Sequence, residues 1–328
     1  MKAVLCTELA GYEALSLVDL PAPAPGPDEV VVDVAYAALN FFDTLITKGA
    51  YQTKPALPFS PGGEMSGVVA AVGDRVEGLA VGDRVAGYLG YGACREQVAV
   101  RADALTLVPD ELDLARAAGL IITYGTTLHA LADRGQLRRG ETLAVLGASG
   151  GVGIAAVEVG KRLGARVIAC ASSADKLAFA RARGADETLD YAAEDLKTRL
   201  KELTGGKGVD VVYDPVGGAS TEAAVRALAW RGRLLVIGFA AGEIPKLPLN
   251  LPMLKGADVR GVFWGAHVER EPAAHRAELA QLFEWAADGE ISAPVDAVLP
   301  LDQTIEAIGR IARREAKGKV LVRASGAA

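Results

Sequence analysis

The chain has 328 residues, enough for two domains with substantial cores, and a formal net charge of −6 that argues against nucleic acid as a partner. Its three cysteines, Cys6, Cys94 and Cys170, are scattered without metal-ligand spacing, so reduced thiols and a cytoplasmic protein are expected. No stretch approaches the ~18 uninterrupted apolar residues of a membrane span, and residues 1–5 run straight into a strand-like pattern, so neither a signal peptide nor a membrane partner is expected.

Up to about residue 120, short β-like runs alternate with turn residues. Residues 30–35 and 66–72 are two such runs, and Gly-Asp-Arg-Val occurs at 73–76 and again at 82–85, each time as a turn feeding a strand. This density of turns predicts an irregular antiparallel barrel. From 121 to 264 apolar strands alternate with helices. Strands are expected at 143–147, 166–171, 209–213, 234–239 and 259–263, with helices between them such as 175–183 and 220–229. That alternation is the signature of a doubly wound, mostly parallel sheet. Beyond 264 come an amphipathic helix at about 270–288, another around 303–314 and a closing strand at 318–322. The fold class is therefore α/β with three segments. Residues 265–328 return to complete the domain begun by 1–120, leaving a cleft beside the domain of 121–264.

The most informative stretch is 142–153, which reads as a buried strand, a glycine-rich turn and the start of a helix. Small residues at Gly147, Ala148, Ser149, Gly150 and Gly151 let the backbone approach a pyrophosphate, and amides of the helix entered at Val152 point at its negative charge. Gly153 lets that helix pack closely on the strand. Such a pattern is also met as a bare tight turn. Here a helical stretch at 152–163 and a second apolar run at 165–171 complete a βαβ unit of about 30 residues, which points to a nucleotide site.

Folds of this kind that choose NAD place an acid roughly 20 residues past the glycines, on the ribose 2′-hydroxyl. This chain has Ala171-Ser172-Ser173-Ala174-Asp175-Lys176 instead. Hydroxyls and an ammonium can bond a 2′-phosphate that a carboxylate would repel, so the reading favours NADPH as cofactor. Asp175 fits a helix N-cap region better than a ribose contact, and Ser172, Ser173 and Lys176 are equally compatible with an ordinary solvated helix start.

Four stretches together resemble the medium-chain dehydrogenase/reductase superfamily, in its zinc-free, zeta-crystallin-like quinone oxidoreductase family. They are Asn40-Phe41-Phe42-Asp43, the run from Pro58 through Gly62-Gly63-Glu64 to Val68, the glycine turn, and Gly318-Lys319-Val320. The resemblance implies a GroES-like irregular β-barrel catalytic domain joined to a Rossmann NADP-binding domain. Zinc alcohol dehydrogenases of the superfamily place metal ligands where this chain has Asn40, Gly63 and commonly Ile122, none of which is a usual zinc ligand. Glu64 alone makes no tetrahedral site, and three cysteines cannot build a four-cysteine lobe. No metal is expected, and His129, His267 and His275 show no ligand spacing and read as helix or loop residues.

The resemblance also implies roles for single residues. Asn40 and Tyr51 stand at positions that line the substrate cleft, where each can donate to an acceptor oxygen on which negative charge develops. Asn40 is equally readable as satisfying loop backbone, and Tyr51 as packing its ring under the loop. Asp43 reads as a cap of the helix beginning there. Thr126 corresponds to a threonine near the nicotinamide, or else lies at a helix N-cap. Lys176 and Tyr191 match residues at the 2′-phosphate, and Gly238 and Phe239 sit where backbone meets the nicotinamide amide, although a phenylalanine is as readily core. Lys319 reads as an approach to the cofactor or as a solvated chain end.

The implied activity is hydride transfer from NADPH to a quinone-type acceptor. Reduction of a conjugated carbon–carbon double bond in an enone, enal or enoyl thioester is the alternative, and a non-catalytic NADPH-binding sensor or structural protein is the alternative of a different class. The resemblance also implies a homodimer through the edge strand near Phe263, and a bare apolar edge would otherwise invite aggregation.

Overall fold

The computed structural model describes residues 1–324, which form two compact units. The first comprises residues 1–122, 279–289 and 293 onward, and the second comprises 123–278 with 290–292. The second unit thus runs past the boundary expected at 264.

The first unit opens with β1 (Lys2–Leu5) and β2 (Ser16–Asp19), an antiparallel pair. Then come β3 (Glu29–Leu39), α1 (Phe41–Ile46), β4 (Glu64–Val72), β5 (Arg84–Tyr88), β6 (Gln97–Arg101), β7 (Leu105–Leu107) and the start of α2 (Leu114–Leu128). β3 is valine-rich and largely buried, and it pairs with three neighbours, β4, β6 and a strand from late in the chain. Register shifts at Val31/Val32 and Val34/Tyr36 bend it, as bulges do in barrel-like sheets. The first Gly-Asp-Arg-Val does not feed a strand: it closes β4 and leads to another turn, and only the second copy enters β5.

The second unit contains β8 (Thr142–Leu146), α3 (Gly151–Arg162), β9 (Arg166–Ala171), α4 (Ala174–Arg181), β10 (Glu187–Asp190), α5 (Leu196–Leu203) and β11 (Val209–Asp214). It continues through α6 (Ala219–Ala227), β12 (Leu228–Val236), α7 (Asn250–Lys255), β13 (Asp258–Gly261), α8 (Trp264–Arg270) and α9 (Pro272–Ala287), whose end belongs to the first unit. Among the described residues these strands form one parallel sheet in the order β10-β9-β8-β11-β12-β13. The chain starts in the middle at β8, winds outward to β10 and returns to β11 beside β8. The carboxyl ends of β8 and β11 therefore flank a topological switch point, where such sheets bind ligands.

The sequence expectation for 220–239 misplaces one junction. The helix stops at Ala227, and the strand starts at Leu228 and ends at Val236, short of Phe239. The helix expected at 270–288 is α9, which opens on Pro272; α8 before it ends at Arg270, since that proline cannot continue it.

The chain ends with β14 (Val295–Pro300), α10 (Thr304–Ala312) and β15 (Lys319–Arg323). β15 pairs antiparallel with β3, so the main path of the first unit's sheet runs β14-β15-β3-β4-β5-β7, with β6 also on β3. Val30, Val32, Leu39, Ile46, Phe59, Met65, Val320 and Val322 share its core.

Candidate active site

In the second unit the corner after β8 is built almost wholly from backbone. Gly147 adopts φ +60°, and the turn bonds to itself and to the neighbouring strand through Gly150 N–H to Gly147 O at 3.1 Å and Ala148 N–H to Cys170 O at 3.0 Å. A Cβ at Gly153 would lie 2.1 Å from Gly147 O, so the first turn of α3 can approach the loop only with glycine there. The close approach is to the turn rather than to the strand. Gly150 caps α3 without a side chain, which leaves the first-turn amides of Gly151 and Val152 for a ligand. Ala148 and Ser149 are buried in the turn. This geometry fits a dinucleotide pyrophosphate.

At the end of β9 no carboxylate stands. Ser172 is exposed and Ser173, Lys176 and Tyr191 are half-buried. Asp190 at the end of β10 lies opposite Ala171 at the end of β9, and Tyr191 N–H bonds Ala171 O at 3.1 Å, so the tyrosine follows directly beside the serines. Ser173, not Asp175, is the N-cap of α4, its hydroxyl accepting from Lys176 N–H at 3.4 Å; Asp175 lies in the first turn. Thr126 lies inside α2, not at an N-cap, and is half-buried. Its neighbour Thr127 is buried and bonds the Tyr213 hydroxyl at 2.9 Å.

Beyond β11 the buried Asp214 carboxylate accepts Val216 N–H and Gly217 N–H, both at 2.9 Å, and the Thr221 hydroxyl at 2.6 Å. It fixes the second loop of the switch point. Ala240 N–H and Ala241 N–H bond Pro215 O and Val216 O, which sets Gly238 and Phe239 beside that loop; a Cβ at Gly217 would touch the Phe239 ring at 2.9 Å. Asp214 escaped the sequence analysis, although Asp214-Pro215-Val216-Gly217-Gly218 after an apolar strand is a turn signal.

In the first unit the expected polar residues form a closed cluster. Asn40 Nδ2 donates to Glu64 Oε1 at 2.8 Å, and Lys319 Nζ donates to Glu64 Oε1 and Asn40 Oδ1, each at 2.7 Å, and to Leu39 O at 2.9 Å. Glu64 Oε2 accepts Ile122 N–H at 2.6 Å. Glu64 is 0% exposed and Lys319 3%, so the lysine is neither a solvated end nor free to roam. The Asn40 side chain bonds two buried side chains, and Asn40 also stands at the N-cap of α1 in a capping box with Asp43. Asp43 does cap α1, from inside its first turn: its carboxylate accepts Asn40 N–H at 2.8 Å and Gly62 N–H at 2.9 Å. Burial lifts its pKa to about 6, against the lowering effect of those two bonds and of Lys319.

Tyr51 is half-buried against this core, its ring 5.5 Å from that of Phe42. Burial, with the Asp43 charge, pushes its hydroxyl pKa up. A Cβ at Gly63 would lie 2.5 Å from Phe42 Cζ, so the ring fills the space a larger side chain would need. Nothing local in the sequence marks Phe42 for this role.

The three histidines are helix residues, as expected. His129, His267 and His275 are all buried and belong to one unit, with the His129 and His267 rings stacked 4.1 Å apart. Helix packing, invisible in their spacing, brings them together.

Comparison with known proteins agrees with this architecture. The family described as "Alcohol dehydrogenase GroES-like domain" matches residues 26–110, and the one described as "Zinc-binding dehydrogenase" matches 151–285. A "Quinone oxidoreductase-like protein 2" of Rattus norvegicus is 37% identical over 323 residues, covering 98% of this chain and 91% of the relative. The chain belongs to the medium-chain dehydrogenase/reductase superfamily, in its quinone oxidoreductase family. It is thereby an oxidoreductase. A "Quinone oxidoreductase" of Pseudomonas aeruginosa is 34% identical, covering 98% of this chain and 99% of that one. The solved structure of the Escherichia coli quinone oxidoreductase complexed with NADPH superimposes on this family member with TM-score 0.90 at 29% identity, covering 98% and 100% of the two chains. No described helix is long and apolar enough to cross a membrane.

Proposed function

We propose that the protein is an NADPH-dependent reductase of quinone-type acceptors that works without zinc at the Asn40, Gly63 and Ile122 positions. The observation that carries this reading is the Asn40–Glu64–Lys319 cluster. Both Glu64 oxygens are spent on protein donors, an ammonium sits on the shared oxygen, and Phe42 occupies the space at Gly63. A dication beside that ammonium would meet repulsion and too few ligands.

Ala148, Ser149 and the α3 amides of Gly151 and Val152 would hold the cofactor pyrophosphate, with Gly150 and Gly153 allowing the approach. Ser172, Ser173, Lys176 and Tyr191 would hold its 2′-phosphate, and Thr126, Gly238 and Phe239 its nicotinamide end. Bound NADPH supplies the hydride. In this reading the first unit receives the acceptor. Asn40 keeps a second amide hydrogen beyond the one given to Glu64, and Tyr51 stays protonated because burial raises its pKa. Both can donate to the acceptor oxygen as charge builds there, and the Phe42–Tyr51 ring pair offers a flat surface for a quinone. Solvent protonates the hydroquinone anion. An enoyl thioester of coenzyme A would want a basic rim, but Arg233 is spent on Glu141 at 2.6 Å and on the carbonyls of Gly135 and Gln136.

A homodimer fits the same reading. β13 ends the second unit's sheet, and Trp230, Met253, Leu254, Val259 and Phe263 are exposed apolar residues on β12, α7, β13 and the turn beyond it. The three free cysteines are buried, which suits a cytoplasmic protein.

The deciding experiment follows loss of reduced-nicotinamide absorbance with NADPH and NADH against quinones and enones. Quinone turnover with NADPH, and much slower turnover with NADH, is expected. Turnover with enones alone would move the function to double-bond reduction. Tight NADPH binding without any turnover would make it a binding protein.

A further inference from the structure

We propose that the second unit carries a binding site for a divalent transition-metal ion of the zinc class, formed by His129, His267 and Glu278. One ligand atom from each lies within 4.8 Å of the other two. His129 begins a short π-helical turn, His129–Arg134, that continues α2; Gly135 N–H bonds Ala130 O at 2.7 Å, five residues back. Such turns recur at functional sites. His267 lies on α8 and Glu278 on α9.

Packing explains the convergence. A Cβ on Gly125 would lie 3.0 Å from the Trp264 indole, so that indole rests directly on α2. His129 stands one turn beyond Gly125, and His267 one turn beyond Trp264. The contact therefore sets one imidazole over the other, with His275 edge-on to Trp264 at 5.3 Å as part of the wall.

The orientation of the rings carries the argument. Each Nδ1 faces a carboxylate four residues on: Asp133 Oδ2 lies 3.4 Å from His129 Nδ1, and Glu271 Oε2 lies 3.6 Å from His267 Nδ1. Neither Nδ1 has a hydrogen bond, although His129 is only 6% exposed and His267 7%. A carboxylate that a small shift brings into hydrogen-bond range of each Nδ1 is what fixes a metal-ligating imidazole and presents its Nε2 lone pair. His267 Nε2 already lies 3.1 Å from Glu278 Oε2. Two imidazoles and one carboxylate leave a fourth position for water, a set that suits Zn²⁺, Co²⁺ or Ni²⁺. Closing on an ion draws the ligand atoms together to about 3.4 Å, as bonds of ~2.1 Å require, and turns the rings out of parallel. Glu278 is 22% exposed and gives the ion a way in.

The test uses full-length, tag-free protein, stripped with chelator and dialysed, then titrated with Zn²⁺ by calorimetry and with Co²⁺ by visible absorption. One equivalent of Zn²⁺ per chain is expected, with a rise in Tm and a tetrahedral Co²⁺ spectrum. His267→Gln and Glu278→Gln, each checked for native circular dichroism, should weaken Zn²⁺ binding about 100-fold or more. Asp133→Asn, an exposed change that leaves all three ligands in place, should weaken it about 10-fold. No stoichiometric Zn²⁺ binding by the wild-type protein would overturn the proposal. So would binding that the two ligand variants leave unchanged, since the ion would then sit elsewhere. Should the ligand variants fail to fold, the Asp133→Asn comparison decides.

Discussion

At the glycine-rich corner of the second unit, backbone amides and missing side chains make the site, from residues 147 to 153. The cluster of the first unit is the reverse: Asn40, Glu64 and Lys319 are side chains from three distant parts of the chain, held together by burial and charge. One is robust to loss of any single polar group but intolerant of a single added methyl. The other tolerates no unpaired member, because a charge left alone at 0% exposure has no water to turn to.

That contrast can be broken by substitution. The largest effect is expected from Lys319→Met, which strands the Glu64 carboxylate and should cost about 4 kcal/mol in denaturant unfolding. Adding Glu64→Gln should restore part of the loss, and strictly additive losses would refute the coupling. Gly153→Ala should cost about 3 kcal/mol, because the new Cβ meets the Gly147 carbonyl and only backbone can yield. NADPH affinity, read by fluorescence titration, should fall with it, whereas Lys319→Met should leave the affinity unchanged in protein that remains folded.

Asp43 gives a pH signature of similar size. Its pKa rises from 3.8 to about 6 on folding, chiefly through burial. Between these values the folded state holds a proton that the unfolded chain has released, so stability falls as pH rises through this window. At 1.36 kcal/mol per pKa unit, the loss is on the order of 3 kcal/mol by pH 7. Measured relative to Asp43→Asn, wild-type stability should therefore decline from pH 4 to pH 7; a flat difference would show Asp43 ionised throughout. The smallest effect is expected from Lys176→Ala, about tenfold in the NADPH KM or ~1.4 kcal/mol, with NADH unaffected. Equal effects on both cofactors would remove the lysine from the 2′-phosphate.

Legibility in the sequence followed the same divide. The parallel strands, the glycine turn, and the lack of an acid after β9 were all readable, because apolar runs, turn residues and helix starts leave local patterns. The junction at 227–228 was not, since Leu228 and Ala229 suit either a helix or a buried strand. Nor was α8, a short helix where an edge strand was expected to run on to Phe263. In the site, the position of Asn40 is legible but its partners are not, and Lys319 is left between a cofactor approach and a solvated chain end because nothing local to it marks a buried partner.

The sequence alone determined the order of elements, the parallel sheet and the backbone corner for a dinucleotide, since each rests on residues within about 30 positions of one another. Only the tertiary structure decided that Lys319 neutralises Glu64, that Phe42 closes the space at Gly63, and that His129 stacks on His267. The His pair carries no local pattern because its geometry is set by how Trp264 packs on Gly125, and the period of either helix is silent about what the other brings to its surface.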